Sequence, residues 1–485
     1  MKRKKALGTA LVFLTTLQLA MCCYYNVKQV REEKEPVNLS LWTYYSGAQL
    51  ERFNELVQEF NDGYGSGHGI VVEASSEGDI ETLTEKLRAS VEKRAGAPAL
   101  PDIFSCYTDN VYALDDLGLI EDLAPYFTEQ EREEYVPGYL DEGDLYNDGS
   151  LKVFPVAKAT ELLMLNRTDW ERFSEACDVE LSELSTLEGL TRTARIYYEW
   201  TDSLTETAGD GRAFFGRDAL ANYMLVGAKQ LGVDLVNVGT DGKLQLNFPR
   251  RVARELWDNY YIPYIRGYFC ANGRFRSDDV KSGDALCYVG SSSSASFFPT
   301  EVIRSSSEKY PIEMLAMEAP RFRDGEAYAV QQGAGMAVLK GSERRIEACV
   351  EFLRWFTKEE NNIRFSVGSG YLPVKRAAND MEEIRSAIKN GDKVSDSVRS
   401  SIDTVRHCAL YSVKGRVHRI RGILQDNMQT VADRDRRVVL QRQQRGQNLR
   451  EAAADFESER YFGIWYAGIM AELTEAVQAA NEGWE

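Results

Sequence analysis

Strand-like and helix-like segments alternate near the start of the chain, and this alternation constrains the fold more than any other feature. Residues 37–42 alternate between apolar and other positions, which predicts a strand, and apolar residues recur at helical spacing over 50–60. A second strand is predicted at 70–72, a helix beginning after Asp79, and a third strand at 102–104. Repeated strand–helix alternation predicts an α/β lobe with a largely parallel sheet.

Later segments extend the pattern less regularly. The glycine-rich stretch 63–69 is predicted as a loop that ends the first helix, and 162–165 is predicted as a buried strand. A strand-like run spans 328–339, with a turn at Gly333-Ala334-Gly335. An apolar stripe over 346–356 predicts a helix, and the chain from 376 onward predicts several more helices. An arginine run over 434–450 is interpreted as solvated helix faces balanced by nearby acids, with a docking or anionic-ligand surface as the alternative.

Length and charge limit the domain organisation and the partners. A chain of 485 residues exceeds the roughly 250–300 residues at which single cores stop growing, so two lobes are expected. The net charge of −17 argues against nucleic acid, because phosphates require a basic surface.

The first 36 residues predict export. Lys2, Arg3, Lys4 and Lys5 precede an apolar run over 6–21, which is short for a bilayer span but suits a signal peptide. Leu19-Ala20-Met21-Cys22 resembles a bacterial lipobox, so Cys22 is the predicted lipidation site, followed by a polar tether over 23–36. Met21 is larger than the small residue usual there, so an uncleaved anchor and an unlipidated signal peptide stay as alternatives.

Cysteine and histidine spacing indicates no metal site or catalytic triad. Six cysteines follow Cys22 and Cys23, and none of the six lies in a CxxC pair. Both disulfide pairing and buried free thiols are open for them. The three histidines are far apart, without metal or triad spacing. No cofactor is predicted.

Several segments, in order, resemble the family 1 extracellular solute-binding proteins, the class of the maltose-binding protein. The segments are Leu39-Ser40-Leu41-Trp42-Thr43, Pro101-Asp102-Ile103-Phe104, Gly118-Leu119-Ile120-Glu121-Asp122-Leu123, Phe154-Pro155-Val156 through Leu165-Asn166, Gly283-Asp284-Ala285-Leu286 to Gly290-Ser291, Gln332-Gly333-Ala334-Gly335-Met336-Ala337-Val338, the helix to Trp355, and Gly370-Tyr371-Leu372-Pro373-Val374. The last hundred residues are similar only in being helical.

This resemblance implies the type II periplasmic-binding-protein-like fold, an α/β fold with two lobes, hinge strands and a helical C-terminal segment. Lobe 1 is expected at 37–157 plus 318–368, and lobe 2 at 158–317 plus 369–485. The implied protein is a monomeric, non-enzymatic lipoprotein facing the outside of the cell or the periplasm. It binds a carbohydrate, most simply an oligosaccharide, between the lobes and delivers it to the permease subunits of an ABC transporter.

The candidate ligand-binding residues follow the predicted strands, because ligands of such sheets sit beyond the carboxyl ends of the strands. Sugars need aromatic planes for their apolar faces and short polar groups for their hydroxyls. Lobe 1, the hinges and lobe 2 together supply these candidates: Trp42, Tyr44, Tyr45, Ser76, Glu77, Tyr107, Asp109, Lys158, Thr160, Glu161, Asp218, Ser291, Ser292, Gly333 and Tyr371.

Structural roles compete with several of these assignments. Trp42 faces either helices or the cleft, and only one of Tyr44 and Tyr45 is expected to touch ligand, because they point to opposite sides of a strand. Lys158 and Glu161 are alternatively a pair that holds the hinge without touching ligand. The serines after Gly290 are alternatively a loop or a helix start.

Three alternative functions remain at this stage. A cation at Lys158 beside serine-rich backbone suits a glycerol-phosphate-type ligand. A glycoside hydrolase needs two carboxylates across one bond, and no motif marks such a pair. An orphan sugar sensor would use the same fold without a transporter.

Overall fold

The computed structural model describes residues 36–239, 243–387 and 395–482. The predicted signal peptide, Cys22 and the tether up to residue 35 lie outside this part. The described strands are β1 Val37–Thr43, β2 Ile70–Ser76, β3 Ile103–Cys106, β4 Glu161–Asn166, β5 Phe215–Arg217, β6 Val236–Val238, β7 Leu244–Leu246, β8 Cys287–Ser291, β9 Glu301–Ile303, β10 Lys309–Pro311, β11 Met314–Glu318, β12 Tyr328–Val330, β13 Gly335–Val338 and β14 Ala409–Tyr411.

The described α-helices alternate with these strands. They are Gly47–Phe60, Ser66–His68, Ile80–Val91, Thr108–Asp116, Glu129–Glu133, Pro137–Asp141, Arg167–Cys177, Leu187–Asp202, Leu220–Gln230, Arg250–Ile265, Arg276–Ser282, Glu343–Phe356, Glu359–Ser369, Met381–Ala387, Asp396–His407, His418–Gln444, Leu449–Ala453 and Glu459–Asn481.

The first sheet has the strand order β13-β3-β1-β2. β1 pairs in parallel with both β2 and β3, and only β13 runs antiparallel to its neighbour. The predicted parallel arrangement is therefore confirmed. Asp79 caps the helix Ile80–Val91 as expected, since its carboxylate accepts a hydrogen bond from the backbone N–H of Thr82 at 2.8 Å.

The predicted loop at 63–69 is wrong, because helical structure continues through it. The helix Gly47–Phe60 widens into a π-helical turn over Asn61–Gly65, and the last helical turn ends at Gly69, with φ of +67°. The Asn61 side chain holds this extension against β2, donating to the Val72 carbonyl at 2.9 Å and accepting from its N–H at 2.8 Å.

The second sheet has the order β11-β4-β8-β5, and every residue of β4 is buried, as predicted. Helices from the middle and the end of the chain pack into one core around Trp257, whose ring centroid lies 3.5 Å from that of Tyr261. The tail is helical, as expected, apart from β14. Its arginines are partly balanced by acids, for example Arg442 by Asp455 at 2.9 Å.

Two lobes are joined by three extended segments that meet at residues 158–159. We number these crossing segments in chain order: the first includes 158–160, the second 330–333, and the third Leu372. Lys158 forms a bridge with Leu372, and Ala159 with Gln332. Phe322 belongs to the core of the second sheet, whereas β13 belongs to the first sheet. We therefore propose that the chain returns to lobe 1 near residues 331–334, and not at 318 as the resemblance implied.

Cys177, Cys270, Cys287, Cys349 and Cys408 are free thiols, and all of these except Cys177 are buried. Of the two possibilities open from sequence, the structure shows buried thiols that pack as small apolar groups for Cys270, Cys287, Cys349 and Cys408. In the described part of the chain, no group of three His, Cys, Asp or Glu side chains is placed to hold a metal ion, and no helix is long and apolar enough to cross a membrane.

Candidate functional site

Tyrosines gather where β1 and β3 end. Tyr44 follows β1 and Tyr107 follows β3, and their ring centroids lie 6.4 Å apart. The hydroxyl of Tyr371, next to the third crossing segment, lies 3.2 Å from that of Tyr44. Burial raises the pKa of Tyr44 and of Tyr371, so both stay neutral and able to donate or accept hydrogen bonds. Tyr44, Tyr107 and Tyr371 form what we call the tyrosine cluster.

Trp42 and Tyr45, also predicted ligand contacts, are core residues. Tyr45 is 1% exposed and packs on Phe53, with ring centroids 5.2 Å apart. Trp42 is 7% exposed, and the ammonium of Lys86 lies 4.9 Å from its ring centroid. Strand alternation puts Tyr44 on the opposite side from Tyr45, and Tyr44 lies just beyond the end of β1, where it is only half-buried. Of the two orientations open for Trp42, the structure shows the one facing a helix.

Glu77 and Ser76, which follow β2, have protein partners. The carboxylate of Glu77 pairs with Lys86 and accepts a hydrogen bond from Ser75 Oγ at 2.5 Å. Partial burial raises the pKa of Glu77, but the hydrogen bonds from Lys86 and Ser75 outweigh it and lower the pKa below its ordinary value. Ser76 Oγ donates to the Tyr45 carbonyl at 2.7 Å. Both residues therefore stabilise the strand end.

Lys158 lies at the centre of the hinge and is 2% exposed. Its ammonium donates to Glu142 Oε2 at 2.7 Å and to the carbonyl oxygen of Gly333 at 2.9 Å. Gly333 has φ of +96°, and a Cβ there would lie 3.1 Å from the Lys158 Cα. The positive charge of Lys158, which was predicted to suit a phosphate ligand, is thus compensated by Glu142 and by the Gly333 carbonyl.

Thr160 and Glu161 continue the same segment and are also buried. Thr160 Oγ1 donates to the Val330 carbonyl at 2.9 Å, which ties two crossing segments together. Glu161 pairs with Arg217, so the predicted alternative of a Lys158–Glu161 pair is wrong. Lys158 and Glu161 have different partners because they are three positions apart, and side chains at an odd spacing along an extended segment point to opposite sides.

A polar chain leads from this hinge toward the space between the lobes. Asn222 Nδ2 donates to Glu161 Oε1 at 2.9 Å and to Gln332 Oε1 at 3.1 Å. Arg421 Nη2 donates to Asn222 Oδ1 at 2.9 Å. Among the described residues, Arg421 has no ion-pair partner. Its guanidinium is therefore a charge that a ligand can reach.

A cavity of about 260 Å³ opens over this chain, and we call it the hinge recess. Lobe 1, the crossing segments and the tail all contribute to it. Its residues are Tyr107, Thr108, Glu142, Asn222, Leu225, Val226, Val330, Gln331, Gln332, Tyr411, Ser412, Val413, Val417 and Arg421. Amides, hydroxyls and two aromatic rings around a small cavity suit a polyhydroxylated ligand.

A second cavity of about 710 Å³ lies between Ser46 of lobe 1 and residues of lobe 2, and we call it the phenylalanine recess. Two of its rings, Phe275 and Phe297, are 54% and 60% exposed. Burial raises the pKa of Asp218, which lies in the same recess. Its residues are Ser46, Asp218, Phe275, Ser277, Asp278, Lys281, Tyr288, Ser294, Phe297, Phe298, Pro299, Thr300 and Glu301. Open rings beside a carboxylate match the faces and hydroxyls of a sugar.

The serine run after β8 begins a short 3₁₀ helix, Ser292–Phe297. Ser291 Oγ and Ser293 Oγ lie 2.9 Å apart, and Ser294 Oγ donates to the Ser291 carbonyl at 2.7 Å. Buried Ser292 donates to the Gly370 carbonyl at 3.3 Å. The run thus joins lobe 2 to the third crossing segment, and Ser294 reaches the phenylalanine recess.

The structure separates the predicted residues into two groups. Tyr107 lines the hinge recess, Asp218 lines the phenylalanine recess, and Tyr44 lies beside Tyr107. The other described residues support the hinge, the strand ends or the core; Tyr371, for example, is 5% exposed and packs on Phe365, with ring centroids 6.0 Å apart. The side chain of Asp109 lies outside the described residues. Neither the polar chain of Asn222, Gln332 and Arg421 nor the rings of Phe275 and Phe297 were among the predicted residues. No local signal joins the polar chain, because Asp218 precedes the helix Leu220–Gln230 in which Asn222 lies and Arg421 is 199 residues further along the chain.

Comparisons with known proteins agree with this architecture. Residues 55–391 match the family model described as bacterial extracellular solute-binding protein. A cyclic alpha-maltosyl-1,6-maltose binding protein from Arthrobacter globiformis is 16% identical, with a TM-score of 0.65 over 91% of this chain and 100% of that chain.

Two further solved structures are similar. UgpB from Mycobacterium tuberculosis, in complex with glycerophosphocholine, is 18% identical, with a TM-score of 0.64 over 91% and 99% of the two chains. An ABC substrate-binding protein from Listeria monocytogenes, in complex with cycloalternan, is 14% identical, with a TM-score of 0.59 over 90% and 98%. At these identities the likeness establishes the fold, which confirms the prediction. No curated protein sequence matches significantly.

Replacing Lys158 tests the hinge. Lys158→Met leaves the Glu142 carboxylate, 11% exposed, without its counter-charge, so we expect the free energy of unfolding to fall by about 3 kcal/mol. The matched control is Arg52→Met, which removes a 2.8 Å pair with Glu55 whose side chains are both 53% exposed, and should cost less than about 1 kcal/mol. Urea unfolding of both variants gives the comparison, and equal losses would contradict the hinge assignment.

Proposed function

The chain belongs to the bacterial extracellular solute-binding proteins, and from this we propose that it captures a carbohydrate between its lobes for an ABC importer. The observation that carries the proposal is the pair of recesses between the lobes. Each is bounded by residues of both lobes, so a ligand there touches both at once. The family is an extracellular one, which agrees with the predicted export.

Chemistry of the two recesses supports a carbohydrate. The phenylalanine recess offers open rings for the apolar face of a sugar, and Asp218 as a hydrogen-bond acceptor for hydroxyls. The hinge recess offers Asn222, Gln331 and Gln332, whose amides both donate and accept. One protein of similar fold was solved in complex with cycloalternan, and another is named as a cyclic alpha-maltosyl-1,6-maltose binding protein. An oligosaccharide that occupies both recesses is the ligand we propose.

Ligand binding is proposed to act through the hinge. A ligand shifts the population of lobe arrangements only by its difference in affinity between them. Contacts with both lobes exist only when the lobes are close, so a bridging sugar favours the closed arrangement. The permease subunits would then recognise the closed arrangement and accept the sugar. We propose that the protein is a monomer and that it binds the sugar without converting it. This proposal is the same for an importer component and for a sugar sensor that has no transporter.

An anionic ligand stays as a second candidate because of one observation. Lys158 is compensated by Glu142, but Arg421 lines the hinge recess without an ion-pair partner among the described residues. A guanidinium in this state suits a phosphate. UgpB, solved with glycerophosphocholine, is also similar in fold. We place the neutral sugar first, because the phenylalanine recess holds Asp218, Asp278 and Glu301 against the single ammonium of Lys281.

A thermal-shift screen against neutral oligosaccharides tests the proposal. A ligand at about 100 times its Kd should stabilise the protein by roughly 2.7 kcal/mol. Phe297→Ala removes an open ring and should weaken binding by about three- to tenfold. The control is Leu204→Ala, 65% exposed and outside both recesses, which should leave affinity unchanged. Chromatography should recover the glycan intact. Absence of any glycan shift, or release of products, would contradict this proposal.

Replacing Arg421 separates the neutral from the anionic ligand. Arg421→Met removes one charged donor, so affinity for a neutral sugar should fall by less than about tenfold. Affinity for a glycerol phosphate should instead fall by up to about a hundredfold, because a charge-assisted bond is lost. Calorimetric titration of both ligand classes measures this. A large loss with the neutral sugar would show that Arg421 has another role.

Membrane attachment is proposed to occur through Cys22, which lies outside the described residues. Cys22→Ser removes the thiol that would carry the lipid, whereas Cys23→Ser is a neighbouring control. We expect a labelled fatty acid to be incorporated into the wild type and into Cys23→Ser, but not into Cys22→Ser. Labelling of the Cys22→Ser protein would contradict lipidation at this position.

A further inference from the structure

A third cavity lies at the opposite end of the lobe 2 sheet from the two recesses. β5 and β8 run in parallel, and Asp218, which follows β5, faces the space between the lobes. Residues that precede the same strands, 210–213 and 282–284, instead line a separate cavity of about 460 Å³. Because parallel strands have their starts at one edge and their ends at the other, this distal cavity is remote from the proposed sugar site.

Three guanidinium groups from separate parts of the chain line the distal cavity. Arg212 precedes β5, Arg304 lies between β9 and β10, and Arg436 comes from the helix His418–Gln444. All three side chains are half-buried. Two acids, Asp210 and Asp284, also line the cavity, but both are exposed and accept hydrogen bonds from hydroxyls, at 2.6 Å and 2.8 Å. The three guanidinium groups are thus less exposed to water than the two carboxylates.

Arg436 is the best-placed of the three. Its Nη1 donates to the Ile265 carbonyl at 3.2 Å, and a Cβ at Gly267 would lie 2.2 Å from its Nη2, so the glycine is needed to admit the guanidinium. Burial lowers the pKa of Arg436. Within the described residues no carboxylate forms an ion pair with it. A half-buried charge in this state is costly unless a counter-ion is supplied.

The other two arginines leave donors available as well. Arg304 pairs with Glu308 through Nη1 at 2.8 Å, but its buried Nε has no hydrogen-bond partner among the described residues. The side chain of Arg212 likewise forms no ion pair within that part of the chain. Guanidinium forks bind oxyanions with two parallel hydrogen bonds, and three of them around one cavity can surround such a group.

We propose that the distal cavity is an anion-binding site, which takes a small oxyanion of the phosphate or sulfate type through Arg436, Arg212 and Arg304. The oxyanion is either free or carried on an organic molecule as a phosphomonoester. This site is independent of the proposed sugar site, since it lies at the other end of the sheet and shares no residue with either recess.

Calorimetric titration of the full chain with inorganic phosphate, sulfate and glycerol 3-phosphate, at matched ionic strength, tests the site. We expect saturable binding that Arg436→Gln weakens about tenfold or more, because a charge-assisted bond is lost. Arg212→Gln should also weaken it, which keeps the test valid if Arg436→Gln fails to fold. The matched control is Arg437→Gln, the exposed neighbour of Arg436, which should bind as the wild type does.

Other outcomes separate the possibilities. Binding of glycerol 3-phosphate but not of inorganic phosphate would identify a phosphomonoester as the ligand, and the reverse a free anion. Binding lost in Arg421→Met but kept in Arg436→Gln and Arg212→Gln would place the anion in the hinge recess and overturn the proposal. No saturable binding, or an equal loss in Arg437→Gln, would overturn it too. None of these results depends on whether a sugar binds between the lobes.

Discussion

The buried ammonium of Lys158 is the interaction on which the arrangement of the lobes depends. It lies where three chain segments cross, and it holds Glu142 of lobe 1 and the carbonyl of Gly333 on the second crossing segment. The backbone of the same residue exchanges hydrogen bonds with Leu372 on the third segment, at 3.1 Å and 2.5 Å. A buried charge stays buried only while its partners stay in place, so this residue orients all three segments at once.

A second buried hinge residue, Glu161, connects the hinge to the candidate site. Glu161 starts the first strand of lobe 2 to follow the crossing, and its carboxylate orients Arg217 and Asn222. Asn222 in turn orients Gln332 and Arg421 at the surface of the hinge recess. Hinge and site therefore share one hydrogen-bonded chain, and a ligand that binds Asn222 or Arg421 acts on groups that are coupled to the crossing segments. Such a chain gives binding a direct physical route to lobe movement.

The fold could be predicted from the sequence because strand, helix and cap signals are local, and because the motifs that resemble the family occur in the order known for it. Alternation over 37–42 and the Asp79 cap predicted β1 and the helix Ile80–Val91 correctly. The space between the lobes was harder, because burial there depends on distant partners. Lys158 reads as a free cation until Glu142 is placed beside it. Trp42 and Tyr44 share one side of the chain, and they differ because Trp42 lies within β1 whereas Tyr44 lies beyond its end. Asn222 and Arg421 are 199 residues apart, and no local pattern joins them.

The tail shows most clearly why order along the chain is a poor guide to the site. Resemblance described the last hundred residues only as helical, yet the loop after β14 reaches across to lobe 1. Lys414 donates to Asn147 at 2.8 Å, Arg416 pairs with Asp116 at 2.5 Å, and the Gly415 N–H donates to the Tyr112 hydroxyl at 3.1 Å. These contacts join the two lobes without passing through the crossing segments, so a rotation about the hinge must break them. Residues of the same loop and of the helix after it form one wall of the hinge recess. The tail therefore completes the site and at the same time favours the lobe arrangement in which the site exists.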